Sequence, residues 1–146
     1  TKWIQSTKSN KILIVDDELV DNAFMVNIFK MTAPAGVDIE IVSTDEIAAR
    51  SQSGALSEGT IMALFKFVKT LKAAYDKGFR FESVQVAGLG SGPGKKVVFR
   101  TVSLSEEDAR LLKDLDEQDV KVYFQSIPEE RSVMLDAVLK KFFREL

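Results

Sequence analysis

Apolar residues in this chain fall into short blocks, and their spacing assigns each block to strand or helix. Residues 11–18 read K-I-L-I-V-D-D-E, four apolar residues running straight into an acidic pair. An apolar run this short, closed by charge, is the pattern of a strand buried on both faces of a parallel sheet. Residues 19–31 place Val20, Phe24, Ile28 and Met31 at helical spacing and stop before A-P-A-G, where Pro34 and Gly36 break the helix. Residues 37–42 (V-D-I-E-I-V) alternate as a half-buried strand, residues 45–50 form a short helix, and residues 51–59 form a polar loop. The run T-I-M-A-L-F, residues 60–65, predicts a buried strand, and residues 67–77 a helix packing through Val68, Leu71 and Tyr75. Ahead of all these, residues 1–8 read as the tail of a helix with Trp3 and Ile4 as its apolar contacts and no N-cap of its own.

The second half continues the alternation. Residues 83–87 (S-V-Q-V-A) are a strand ending in the glycine-rich stretch G-L-G-S-G-P-G, and residues 97–99 are a short strand. Ser105 with Asp108 three residues on forms a capping box that opens a helix through Leu111, Leu112 and Leu115. Residues 120–125 turn Val120, Val122 and Phe124 inward, and a last helix is expected over residues 132–146. Strands separated by helices give an α/β fold, a three-layer α/β/α sandwich with a mostly parallel central sheet. Ligands of such sheets bind outside the carboxyl ends of the strands, which puts Asp16 and Asp17 on the functional rim.

Composition narrows the chemistry. A length of 146 residues fits one domain, residues 1–146. A net charge of −2 argues against a nucleic-acid surface, so no nucleic-acid partner is expected. With no cysteine and no histidine, disulfides, thiol catalysis and imidazole bases are all excluded within these residues, and no metal or other cofactor is expected. No apolar run is long enough to span a bilayer and no signal-peptide pattern precedes the first strand, so a cytoplasmic place is expected.

Two families of phosphoryl-transfer protein begin a strand as residues 11–18 do. The run and the helix after it resemble a response-regulator receiver domain, in which the acidic pair holds Mg²⁺ and a later strand ends in the phosphoacceptor aspartate. Here no aspartate lies between Asp45 and Asp76, and the strand expected to carry it ends in Lys66 and Phe67. Only a pseudo-receiver, a signalling module without the acceptor, survives from that likeness.

More of the chain, from Lys11 to about Arg131, resembles the IIB component of the mannose/fructose/sorbose family of bacterial phosphotransferase systems. The matching stretches are V-D-D-E at residues 15–18, A-P-A-G-V at 33–37, A-L-F-K at 63–66 and V-Q-V-A-G-L at 84–89. They continue with G-K-K at 94–96, V-S-L-S-E-E-D at 102–108 and D-V-K-V-Y-F-Q-S-I-P at 119–128. Trp3 also fits, because a tryptophan sits in the family's first helix just after the active-site loop. That loop runs close to R-I-D-D-R-L-I-H-G-Q-V, and its histidine carries the phosphate. Neither the loop nor the strand before it is found in these residues, so the resemblance implies an N-terminally incomplete domain. A missing N-terminal stretch, a shortened non-catalytic relative and a rearranged variant all stay open as explanations.

The resemblance implies a phosphoryl carrier that takes phosphate from the phosphohistidine of a IIA component and passes it to a sugar presented by the membrane components IIC and IID. It implies a cytoplasmic protein at the inner face of the membrane, inactive here without its histidine. It also implies that the absent strand lies mid-sheet, between the strands at residues 60–65 and 83–87. A non-catalytic IIB-like binding or regulatory module is the alternative. Rim candidates are Asp16, Asp17, Lys66, Gly88, Leu89 and Gly90. Glycine lets backbone N–H groups approach a phosphate, and Lys66 can screen its charge. Each has a plainer role open to it: an aspartate capping the helix that follows, a solvated lysine, a bare glycine turn. Lys95 and Lys96 read as a protected strand edge. The stripe Val138, Phe142, Phe143 and Leu146 reads as core or docking surface and leaves room for a homodimer.

Overall fold

Ile12, Leu13 and Val15 are buried because their strand has a parallel neighbour on each side. In the structure, a computed structural model that describes residue 3, residues 7–57 and residues 60–146, strand β1 (Lys11–Val15) lies between β2 (Asp38–Val42) and β3 (Ile61–Phe65). Leu13 stands opposite Glu40 on one side and Ala63 on the other. Helices α1 (Ala23–Met31), α2 (Thr44–Ser53) and α3 (Val68–Lys77) complete the first of two compact units, Thr1–Arg80. Ile47 and Ala48 of α2, and Val68, Leu71, Ala74 and Tyr75 of α3, are buried. Ser43 caps α2 through its side-chain oxygen, which accepts from the Glu46 N–H, and Gly54, at φ +82°, closes the helix in the left-handed conformation.

Several expectations for this unit need correction. The helix expected over residues 19–31 is interrupted. A 3₁₀ turn, Leu19–Asp21, ends at Asn22, whose extended backbone and side chain, accepting from the Met25 N–H at 3.1 Å, start α1 afresh. Of its expected contacts, Phe24, Ile28 and Met31 are exposed, and the half-buried Phe29 packs instead against the Ile12–Ile39 cluster. Among the described residues, the strand expected to be buried at residues 60–65 pairs on one side only. Leu64 is exposed and its neighbours are half-buried, since an apolar run alone cannot say whether both sides of a strand are paired. The polar loop expected at residues 51–59 begins with the last turn of α2 and continues as a 3₁₀ turn, Ala55–Ser57, with Glu58 and Gly59 outside the described residues. Trp3 and Thr7 are helical, the Thr7 hydroxyl donating to the Trp3 carbonyl, whereas Ile4 lies outside the described residues.

The second unit, Phe81–Leu146, holds β4 (Ser83–Val86), the antiparallel pair β5 (Lys95–Phe99) and β6 (Val102–Ser105), helix α4 (Glu106–Glu117), β7 (Lys121–Phe124), β8 (Val133–Met134) and helix α5 (Leu135–Phe142). Here β4 pairs parallel with β7, and β8 pairs antiparallel on the far side of β7. Val102, Leu104, Ala109, Leu112, Leu115, Val122 and Phe124 are fully buried. The capping box is present, Ser105 accepting from the Asp108 N–H at 3.0 Å while Asp108 accepts from the Ser105 N–H at 3.2 Å. The sequence reading missed β6 altogether and started β5 two residues late. It also drew the last helix too long, because Val133 and Met134 are extended against β7. Of the stripe read as core or docking surface, Val138 and Phe143 are buried and Phe142 and Leu146 half-buried, which makes it largely core, with Leu135 buried beside it. Both units are α/β, and the chain has the mostly parallel strand pairing expected of its class.

On the edge strand β2, Glu40 sits in a bidentate pair with Arg50, and Lys11 Nζ adds a contact at 3.2 Å. The Arg50 hydrogen bonds, aided by Lys11 and opposed by partial burial, hold the Glu40 carboxyl down from 4.5 to about 2. A carboxyl depressed by folding stabilises the fold above its unfolded value, and that contribution fades as pH falls towards the folded value. We expect urea stability to decline from about pH 5 down to about pH 2 with a component that Glu40→Gln removes. An unchanged acid profile in that variant would show that the pair contributes nothing.

Candidate functional site

The carboxyl end of β1 carries the two aspartates, and each has a distinct partner. Asp16 Oδ1 accepts from the N–H groups of Glu18 at 2.9 Å and Leu19 at 2.8 Å, so it caps the 3₁₀ turn, the local role the sequence left open to one of the pair. Asp17 reaches across to the start of α2, where Oδ1 accepts from the Thr44 N–H at 2.7 Å and the Thr44 hydroxyl lies within 3.1 Å of both carboxylate oxygens. Thr44 is wholly buried, and its hydroxyl also accepts from Lys77 Nζ at 2.7 Å. Lys77 pairs with Asp45 at 2.9 Å, and that bond, together with the field of Asp17, raises its pKa. A carboxylate at a helix N-terminus, backed by a buried hydroxyl and a lysine, fixes the loop after β1 to α2. Among the described residues no three acidic, histidine or cysteine side chains gather to hold a metal ion.

Lys66 follows β3 in the same unit. Its side chain is exposed and its ammonium stands 5.3 Å from the centre of the Phe67 ring, itself exposed. It is therefore a solvated cation beside an apolar ring, with no ion pair among the described residues.

In the second unit, the glycine stretch after β4 is fastened at two points. The Ala87 carbonyl accepts from both the Thr101 hydroxyl at 3.0 Å and the Ser126 hydroxyl at 3.1 Å. Leu89 spends its backbone on the segment 101–103, donating to the Thr101 carbonyl at 3.1 Å and accepting from the Ser103 N–H at 3.0 Å. Gly88 and Gly90, on either side, are exposed and lie outside the positive-φ region. A Cβ would meet nothing within 4 Å at Gly90 and only the Thr101 hydroxyl, at 3.8 Å, at Gly88. Neither glycine is demanded by a positive φ or by internal packing. Glu130 steadies the neighbouring loop by accepting from the Ser126 N–H and pairing with Arg100 Nε at 2.7 Å.

Thr44, Lys77 and Thr101 escaped the sequence reading. Thr44 and Lys77 act through partners 27 and 33 residues apart in the chain, which no local pattern signals. Ser126 lies within the stretch at residues 119–128 singled out above, so a signal for it was present.

The family described as "PTS system sorbose subfamily IIB component" matches residues 1–145 of this chain. The sorbose-specific EIIB component of Klebsiella pneumoniae is 23% identical over 146 residues, covering 99% of this chain and 89% of that protein. The fructose-specific EIIB component of Bacillus subtilis (strain 168) is 23% identical over 132 residues, 90% of this chain and 81% of that one. Among solved structures, the IIBSor domain of the sorbose permease from Klebsiella pneumoniae superposes with a TM-score of 0.87 at 20% identity, covering 97% of this chain and 86% of that one. The manxB protein of Thermoanaerobacter tengcongensis gives 0.83 at 31% identity, with the same two coverages.

Proposed function

Because the chain belongs to the sorbose-subfamily IIB components of the phosphotransferase system, we propose that it serves as a phosphoryl relay, as a single IIB-like domain, between a phosphohistidine-bearing IIA component and a sugar held by membrane IIC and IID components. In-line phosphoryl transfer asks little covalent chemistry of a protein and much positioning and charge dispersal. Gly88 and Gly90 in the second unit, open to backbone approach, and Lys66 in the first, a solvated cation, are each suited to one part of that demand. Asp16 and Asp17 hold the loop after β1 in shape. The observation that carries the reading is the family match over nearly the whole chain.

The acceptor imidazole is not among these residues, since the chain has no histidine. What the 146 residues supply is the phosphate-facing rim and the surface that engages IIA. Their lack of a histidine equally favours a binding or regulatory role for the chain by itself. The sugar is left open, because relatives named for sorbose, fructose and N-acetylgalactosamine resemble this chain to nearly the same degree. Among the described residues no helix is long and apolar enough to cross a membrane, which suits a carrier working at the inner membrane face through IIC and IID. Self-association belongs to the same reading, though the last helix turns its apolar face inward.

Intact mass after incubation with phosphoenolpyruvate, the general phosphotransferase proteins and IIA tests this reading. The chain as it stands should gain no acid-labile, base-stable phosphate, and the chain extended by the family's histidine loop should gain one. A stable phosphate on the unextended chain, or none on the extended one, would overturn it.

A further inference from the structure

Strands β4 and β7 pair in parallel as far as Val86 and Phe124, and their ladder stops one bond short. Its last bond runs from the Gln125 N–H to the Val86 carbonyl at 3.2 Å. The register would next bring the Gly88 N–H to the Gln125 carbonyl, but that carbonyl accepts instead from the Gln85 side-chain amide at 2.9 Å. Among the described residues the Gly88 N–H donates to no group. Backbone donors in a ladder are normally satisfied, so a side chain that takes the last acceptor leaves a donor over. It does so at the carboxyl end of two parallel strands, where ligands of such sheets bind. We propose that Gln85, Thr101 and Ser126 are positioning residues that keep the Gly88 N–H free and aimed as a donor to a phosphoryl oxygen, an inference that rests on the relay reading.

The aim comes from the peptide that joins Ala87 to Gly88. Across a trans peptide the C=O and N–H point in opposite directions, and among the described residues no peptide is cis. The Ala87 carbonyl is fastened by two hydroxyls, Thr101 at 3.0 Å and Ser126 at 3.1 Å, which lie 3.3 Å from each other. The Gly88 N–H is therefore turned away from both, and Gly88 is exposed. Beyond β7, the Gln125 side chain donates to the carbonyls of Pro128 at 3.2 Å and Glu130 at 2.9 Å, which turns the chain out of the ladder. The Glu130 carboxylate in that turn accepts from the Ser126 N–H and pairs with Arg100 at 2.7 Å, so its charge is offset locally. A donor held in place before the anion arrives has no reorganisation to undergo, which is the form of help that phosphoryl transfer can use.

Amide resonances of the 146-residue chain, followed by NMR during titration with inorganic phosphate against sodium chloride of equal ionic strength, test the assignment. The Gly88 amide should shift saturably with phosphate, and without phosphate it should exchange rapidly with solvent. Gln85→Met keeps the bulk of the side chain and removes its donor, which frees the Gln125 carbonyl for the Gly88 N–H. Gly88 exchange should then slow by about tenfold, the worth of one net hydrogen bond, and phosphate binding should weaken by a similar factor. Thr101→Val combined with Ser126→Ala should weaken phosphate binding by about tenfold while Gly88 still exchanges rapidly, because the aim is lost but the last bond stays open. A glutamine that only supported the fold would, when replaced, lower the urea midpoint and speed exchange, never slow it at one amide. If Gln85→Met does not fold, the phosphate response of the unaltered chain and of the double variant decides. A Gly88 amide unmoved by phosphate, already protected, or indifferent to these substitutions would overturn the proposal. Phosphoryl gain by the extended chain is read separately by mass, so such a failure would leave the relay reading standing.

Discussion

Thr44→Val should lower the unfolding free energy by about 1–3 kcal/mol, a large share of the roughly 5–15 kcal/mol that a domain of this size has. Valine keeps the shape of threonine and removes the hydroxyl, which at zero exposure has no water to turn to. That hydroxyl lies against both oxygens of Asp17 and accepts from Lys77. Its loss leaves the Asp17 carboxylate leaning on one backbone N–H and the lysine on Asp45 alone. Thr44→Ser retains the hydroxyl and should recover most of the loss. Asp17→Asn should cost less than Thr44→Val, because an amide oxygen still accepts from the Thr44 N–H. Urea unfolding followed at constant slope measures all three. Equal stability of the valine and threonine proteins would mean that the link from β1 to α2 contributes nothing.

This link also marks the boundary of what the sequence could tell. The strand at residues 11–15 was legible because its run from Ile12 to Val15 has no polar position, as befits a central parallel strand. The capping box at Ser105 was legible because both partners lie within one turn. Asp17 was legible as a rim residue from its place after a strand, but its partner was not. Thr44 stands 27 residues away, and a lone threonine carries no period and no motif. The same limit explains β3. Five apolar residues in a row read as buried, but burial depends on whether a neighbour pairs with the second edge, and that neighbour is not written in the strand itself. Asn22 split a helix that periodicity drew as one, since a short polar side chain competes with the backbone for N–H groups and begins a helix more readily than it continues one. The family resemblance, by contrast, was carried by the order and spacing of stretches from Lys11 to about Arg131, which is why it held while element boundaries moved.

A parallel strand supplied ahead of Thr1, as the family's own first strand would be, should stabilise the chain more than any of the substitutions above. Among the described residues strand β3 ends its sheet, hydrogen-bonded to β1 on one side only. Edge strands are normally blunted by charge, proline or bulges. Yet β3 reads I-M-A-L-F, with Leu64 43% exposed and none of its five side chains buried, the composition of an interior strand in an edge position. Each new strand hydrogen bond nets about 0.5–1.5 kcal/mol, and covering apolar surface adds about 25 cal/mol per Å². Ordering the added backbone costs about 1–2 kcal/mol per residue, so the gain comes only if the strand both pairs and buries the half-exposed side chains. Hydrogen exchange should therefore show the outward-facing amides of Ile61–Phe65 exchanging rapidly in the 146-residue chain and protected in the extended one. The extended chain should also unfold at higher urea. If the outer amides of β3 are already protected, or if the extension leaves both exchange and the urea midpoint unchanged, the open edge is not where a further strand belongs.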